Sequence, residues 1–163
     1  MARKNIVKVL VGLLVVFGAL GSASAQMPNP YGPAISLEDA KKAAAPALAE
    51  AAKNKWTMAV AIVDPGGNLV YYEKMDNTQI GSANVAIDKA RSAALYKRPT
   101  KALQDALAAG GEGLRILRLQ GAVPVEGGIP LLIDGKIVGA IGVSGGTSAQ
   151  DGQCAKAGAD TVK

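Results

Sequence analysis

The chain has 163 residues, no histidine and one cysteine, and its 18 Lys and Arg against 13 Asp and Glu give a formal charge of +5. The missing histidine excludes Ser-His-Asp triads, His-ligated zinc and a covalent CxxCH haem site. A single cysteine excludes an intrachain disulfide. The longest basic cluster, Lys97-Arg98 with Lys101 nearby, is too sparse for nucleic acid, which calls for a dense patch with a groove or stacking surface.

Arg3, Lys4 and Lys8 precede an apolar run from Val9 to Leu20, and Ala23-Ser24-Ala25 follows. A basic start, a short apolar stretch and an A-x-A site predict a signal peptide over residues 1–25, cut after Ala25. The run falls short of the about 20 residues that span a bilayer, so the mature chain is expected to be exported, periplasmic or extracellular, without a membrane partner. Cleavage removes those three cations and leaves 15 basic against 13 acidic residues, a charge of +2. Without a disulfide, an exported domain of this size relies on its core or on self-association.

Residues 26–35, rich in Pro and Gly, read as a flexible lead-in, and 36–163 as one domain. Ser36-x-x-Asp39 is a capping-box pattern with Ile35 placed as a staple. Leu37, Ala40, Ala44, Leu48 and Ala51 then recur at helical spacing. Pro46 removes the amide that would bond the Lys42 carbonyl and is expected to kink this helix. A hairpin follows, its strands around Trp56–Val63 and Asn68–Met75 joined by Asp64-Pro65-Gly66-Gly67. The return strand has mixed faces, which places it at an edge or beside a site.

Gly81 to Arg98 predicts a second helix with a small-residue face of Ala83, Ala86, Ile87, Ala90, Ala93 and Ala94. Pro99 ends it and opens a short third helix that stops at Gly110-Gly111. Leu114 to Leu119 fits a strand or a helical turn equally. Asp134-Gly135 predicts a tight turn between two apolar strands, with Leu131 facing Val138, Leu132 facing Ile137 and Ile133 facing Lys136. In the second of these strands Ile137, Ile141 and Val143 point one way, and Val138, Ala140 and Gly142 the other. Two apolar faces suit a strand covered on both sides, and the small face lets a helix approach closely. Gly142 to Gly146 reads as a strand-to-helix turn or an anion nest, and Ser148-x-x-Asp151 as a second capping box. The order helix, two strands, two helices, three strands, helix predicts an α+β fold, an antiparallel sheet with helices on both faces.

Three stretches, AVAIVDPGGNLVYYEKMD, SANVAIDKARSAALYKRPT and VEGGIPLLIDGKIVGAIGVSGG with the trailing Asp151 and Cys154-Ala155, resemble the GlcG/HbpS-like haem-binding family. The same domain ends some corrinoid adenosyltransferases of the PduO type. The resemblance covers nearly all of the expected mature chain. It implies a profilin-like three-layer sandwich with a five-stranded antiparallel sheet, assembly into homo-oligomers, haem binding, and for some members a sensor or accessory protein as partner.

Haem asks for an apolar slot, cations for two propionates and usually an axial ligand. With haem as the implied cofactor, Lys89, Arg91 and Arg98 are the candidate cations, and the Glu126-Gly127-Gly128 turn could close against their helix. Arg91 fits equally an i, i+3 partner of Asp88 on a solvated face, and the glycines suit a turn. With no imidazole, the axial candidates are Tyr72, Met75 and Tyr96, with Tyr71, Met58 and Cys154 behind them. Thr100 is an oxygen candidate through the matching KRPT segment, and otherwise a helix cap. Cys154 reads as buried and inert, and Asp64 and Asp151 as turn and cap residues. No catalytic or metal site is expected. The leading reading is an exported oligomeric haem protein for storage, sensing or transfer. Its alternatives are a slow haem-degrading or peroxidase-like enzyme, and an accessory subunit that has lost the ligand.

Overall fold

The structure, a computed structural model, describes residues 29–162. The signal peptide expected at 1–25 lies outside the described residues. Among the described residues no helix is long and apolar enough to cross a membrane. The elements run α1 (Leu37–Lys53), β1 (Ala59–Val63), β2 (Leu69–Lys74), α2 (Ser82–Leu95), α3 (Thr100–Ala108), a 3-10 helix (Gly111–Arg118), β3 (Gly128–Ile133), β4 (Lys136–Ser144) and α4 (Ser148–Ala159).

All strand pairings are antiparallel in a sheet of order β2-β1-β4-β3. The sheet therefore has four strands among the described residues, not the expected five. The missing strand is the ambiguous Leu114–Leu119 segment, most of which is 3-10 helix. Gly110 and Gly111 both take positive φ (69° and 54°) and turn the chain back after α3. Only Ile116 of that helix is buried, so the segment has one apolar anchor where an inner strand would need two covered faces.

The sheet separates two cores. On one side Ala40, Ala43, Ala47 and Ala51 of α1 and Cys154 and Ala155 of α4 pack on Met58, Val60, Ile62, Leu131, Ile141 and Val143. On the other, Ala86, Ala90, Ala93 and Ala94 of α2 pack on Ala59, Ala61, Val63 and Ala140. Gly142 explains how closely α2 sits: a side chain there would run into the carbonyl of Ala86 and the amide of Ala90. The small face of β4 was visible in the sequence, and its partner is α2. As expected of its mixed faces, β2 is an edge strand. Pro130 is tolerated because β3 forms the opposite edge.

Local chemistry sets the ends of the elements. Asp134 and Gly135 both have positive φ (49° and 71°), as a tight two-residue hairpin of this type requires. Leu132 faces Ile137 and Ile133 faces Lys136 as expected, but Leu131 faces Gly139 instead of Val138. That one-residue shift turns Val138 into the same core as Ile141 and Val143. Ser36 caps α1 by accepting from the Asp39 amide at 3.0 Å. Helix α1 runs on through Pro46, and the Lys42 carbonyl that Pro46 leaves unpaired lies 3.3 Å from the Thr161 hydroxyl, whose nearer acceptor is the Gly158 carbonyl at 2.7 Å. The capping box of α4 falls one residue earlier than expected: Thr147 and Gln150 form it, not Ser148 and Asp151.

Part of the lead-in is bound to the domain. The Ile137 amide donates to the Pro30 carbonyl and the Gly32 amide to the Ile137 carbonyl, both at 2.8 Å, and the Ile35 amide donates to Val138 at 2.8 Å. Tyr31 thus lies parallel to β4 where β4 extends past the end of β1.

Candidate functional site

The helical segment after α2 builds an open cleft. Leu103 of α3 and Ile116 of the 3-10 helix, both buried, form its floor. Ala102, Ala106 and Leu119 extend the apolar wall, and Tyr96, Arg98, Glu112 and Arg115 line its polar side. The two helices meet backbone to backbone, because a side chain at Gly113 would strike the Ala106 carbonyl. The cavity measures about 540 Å³, within the about 300–1,000 Å³ usual for small-molecule and cofactor sites. Leu114 and Leu117 beside it are more than half exposed.

Hydrogen bonds hold its polar side. The Tyr96 hydroxyl donates to the Gln120 carbonyl at 2.6 Å, fastening the loop before β3 over the end of α2. Arg98 Nε donates to the Tyr96 carbonyl at 2.9 Å. Arg115 pairs with Glu112 at 2.7 Å on the surface, a contact that solvent screens and that adds little stability. More side-chain acceptors fix the loop from Leu119 to Gly127: Ser92 Oγ takes the Val123 amide at 3.0 Å, and Gln104 Oε1 takes the Glu126 amide at 2.8 Å.

A second polar cluster lies beneath that loop. Lys89 Nζ is 2.6 Å from Asp151 Oδ2 and 3.2 Å from the Val143 carbonyl. Asp151 Oδ1 accepts the Gly146 amide at 3.0 Å. The glycine turn after β4 therefore binds an anion, and the anion is the protein's own Asp151. Burial pushes the Asp151 carboxyl above its ordinary range, against the opposing pull of Lys89 and the Gly146 amide. Gly127, at φ +126°, lies against Lys89 Nζ and the Val143 carbonyl, and Gly128 lies against the Lys89 carbonyl. Thr100 is wholly buried and accepts the Gly128 amide at 2.9 Å; it is not the cap of α3. Among the described residues no buried side-chain nitrogen or oxygen lacks a partner.

The sequence candidates therefore separate. Lys89, Thr100, Gly127 and Gly128 come together as an interior cluster, with Glu126 on its rim against Gly152. Tyr96 and Arg98 meet in the open cleft. Arg91 is in neither: its Nε donates to the Gly67 carbonyl at 3.0 Å in the β1–β2 turn, and its outer nitrogen is 3.8 Å from Asp88. Tyr72 packs on the α2 core, and Met75 on the core beneath α1 and α4.

Sequence reasoning missed Arg115 and Asp151. Arg115 stands on the segment whose structure the pattern left open. For Asp151 a signal existed in its partner, since Lys89 falls on the alanine face of α2 between Ala86 and Ala93. A lone cation on an apolar stripe calls for a buried counter-charge.

Residues 35–160 match the family described as "Haem degrading protein HbpS-like". The chain belongs to this HbpS-like family. It is 39% identical to the GlcG protein of Escherichia coli K12 over 95 residues, 58% of this chain and 69% of GlcG. A crystal structure of a double mutant of HbpS from Streptomyces reticuli superposes with a TM-score of 0.74 at 32% identity, covering 81% of this HbpS-like chain and 89% of the other. A PduOC–haem complex superposes with a TM-score of 0.72 at 27% identity, covering 80% and 96%.

Proposed function

We propose that this HbpS-like chain is an exported, oligomeric haem-binding protein that stores, senses or passes on tetrapyrrole, with the cleft between α3 and the 3-10 helix as its slot. The observation that carries the reading is the donor set of that cleft. An apolar floor of Leu103 and Ile116 is rimmed by two guanidinium groups, a phenol and the Glu112 carboxylate that pairs with Arg115; the floor and the cations are the features a porphyrin with two carboxylates calls for. Arg98 and Arg115 would hold the propionates, Leu103, Ile116 and Leu119 would cover the ring, and Tyr96 would offer an oxygen donor. Bound haem would supply a redox-active iron, toward which this cleft would offer the Tyr96 oxygen and, with no histidine in the chain, no imidazole. The family description and the haem complex of the PduOC relative support this assignment. Export rests on Arg3, Lys4 and Lys8 with the apolar run and Ala23-Ser24-Ala25.

Titrating the purified protein with hemin should give a Soret shift at micromolar concentration, weakened in Arg98→Ala and Arg115→Ala. No shift in the wild-type protein would remove the proposal. Haem breakdown is the second reading, favoured by the description of the family. Loss of the Soret band on adding a reductant, faster than for free hemin, would select breakdown over storage.

A further inference from the structure

We propose that Tyr31, which lies outside the cleft, is a positioning residue for it. The proposal rests on reading the cleft as the ligand slot. Helix α2 ends in a turn in which the Lys97 amide donates to Ala94 and the Arg98 amide to Ala93, both at 3.3 Å. Such a turn places its first residue beyond the helix cap in the left-handed region, where glycine is the usual occupant. Here that residue is Lys97, at φ +54°.

Tyr31 holds this unfavoured turn in two ways. Its hydroxyl donates across the last carbonyls of α2, 3.0 Å from Ala94 and 3.2 Å from Leu95. Its ring lies under the Lys97 ammonium, 4.1 Å from Nζ to the ring centre, an attractive cation–π arrangement. Tyr31 is itself anchored, because Pro30 and Gly32 on either side of it bond Ile137 of β4. Lys97 is thereby drawn to the lead-in, while its neighbours Tyr96 and Arg98 line the cleft. Arg98 Nε also rests on the Tyr96 carbonyl, so the two cleft residues share one piece of backbone. A chain of contacts thus runs from β4 through Tyr31 to the polar side of the slot.

The test compares wild type, Tyr31→Phe and Tyr31→Ala as purified proteins, with circular dichroism to show that each is folded. Tyr31→Ala should bind hemin about five- to tenfold more weakly and should show faster hydrogen exchange at the Tyr96, Lys97 and Arg98 amides. Tyr31→Phe keeps the ring and should recover part of both effects. If either hemin affinity or amide exchange is the same in Tyr31→Ala as in wild type, the positioning role is overturned and the haem reading stands. If wild type gives no Soret shift, the haem reading falls, and the exchange measurement alone decides whether Tyr31 holds the turn.

Discussion

Lys89 and Asp151 form an ion pair of 2.6 Å with side chains only 1% and 4% exposed, joining α2 on one face of the sheet to α4 on the other. Helices on opposite faces of a sheet do not ordinarily touch. Here the lysine passes the end of β4, where the Val143 carbonyl gives it a second acceptor. Gly127 leaves it room, since a side chain there would come within 3.0 Å of Nζ.

Breaking that pair should be costly and repairing it informative. Lys89→Met leaves Asp151 buried without its cation, and the expected loss is about 3–5 kcal/mol of unfolding free energy. The double variant Lys89→Met with Asp151→Asn removes both charges, keeps an acceptor for the Gly146 amide, and should recover most of the loss. Urea denaturation of the single and double variants measures this. A double variant as unstable as Lys89→Met would show that charge burial is not the cause.

Gly142→Ala should loosen α2. The added methyl meets the Ala86 carbonyl and Ala90, and overpacking of this kind costs about 1–3 kcal/mol. The urea midpoint should fall, and amides in α2 should exchange faster than those in α1. Equal exchange in both helices would mean that the strain spreads through the sheet and does not lift α2.

The corrected capping box of α4 gives a paired comparison. Thr147→Ala removes the acceptor for the Gln150 amide and should cost about 1 kcal/mol. Ser148→Ala should change the melting temperature little. The opposite ranking would restore Ser148 as the cap.

Cys154 should be silent to thiol reagents in the folded protein. It is fully buried, and burial first, then the Glu50 and Asp151 carboxylates, push its thiol up to about 11. A folded value above the unfolded one means that the protonated thiol favours the folded state. That contribution is complete below pH 9 and is lost as the pH rises toward about 11. Dithionitrobenzoate at pH 8 should label it only with denaturant present; rapid labelling without denaturant would contradict the burial.

Filling the cleft tests its role without touching its charges. Ala102 lines the cavity and is exposed, so Ala102→Trp should fold normally while blocking hemin. Unchanged hemin affinity would move the slot elsewhere on the molecule.

The hairpins were legible because their signals are local. Asp134-Gly135 fixes a turn, and the two-residue alternation of β4 gives its faces from Ala140 to Val143 but not at Val138, where the register shifts. The stretch from Leu114 to Leu119 was not legible, since its sequence suits either period and Gly110 with Gly111 decided the outcome. Half of the cleft was within reach, as Tyr96 and Arg98 fall in stretches that carry the family resemblance. Arg115 was hidden by the undecided segment. The Lys89–Asp151 pair spans 62 positions, and its acidic member sat where a helix cap offered a sufficient local account. Contacts of that span come from the packing of layers, which a window of neighbouring residues does not encode.

The pairing of Pro30 and Gly32 with Ile137 bears on where a recombinant version should begin. A product trimmed to Leu37, the first residue of α1, would retain every named helix and strand. It would also leave the Ile137 amide and carbonyl bare on a greasy ribbon. Raw edges of this kind recruit other chains, so shortened preparations should precipitate or pair artificially, and their assembly state would describe the truncation, not the natural protein.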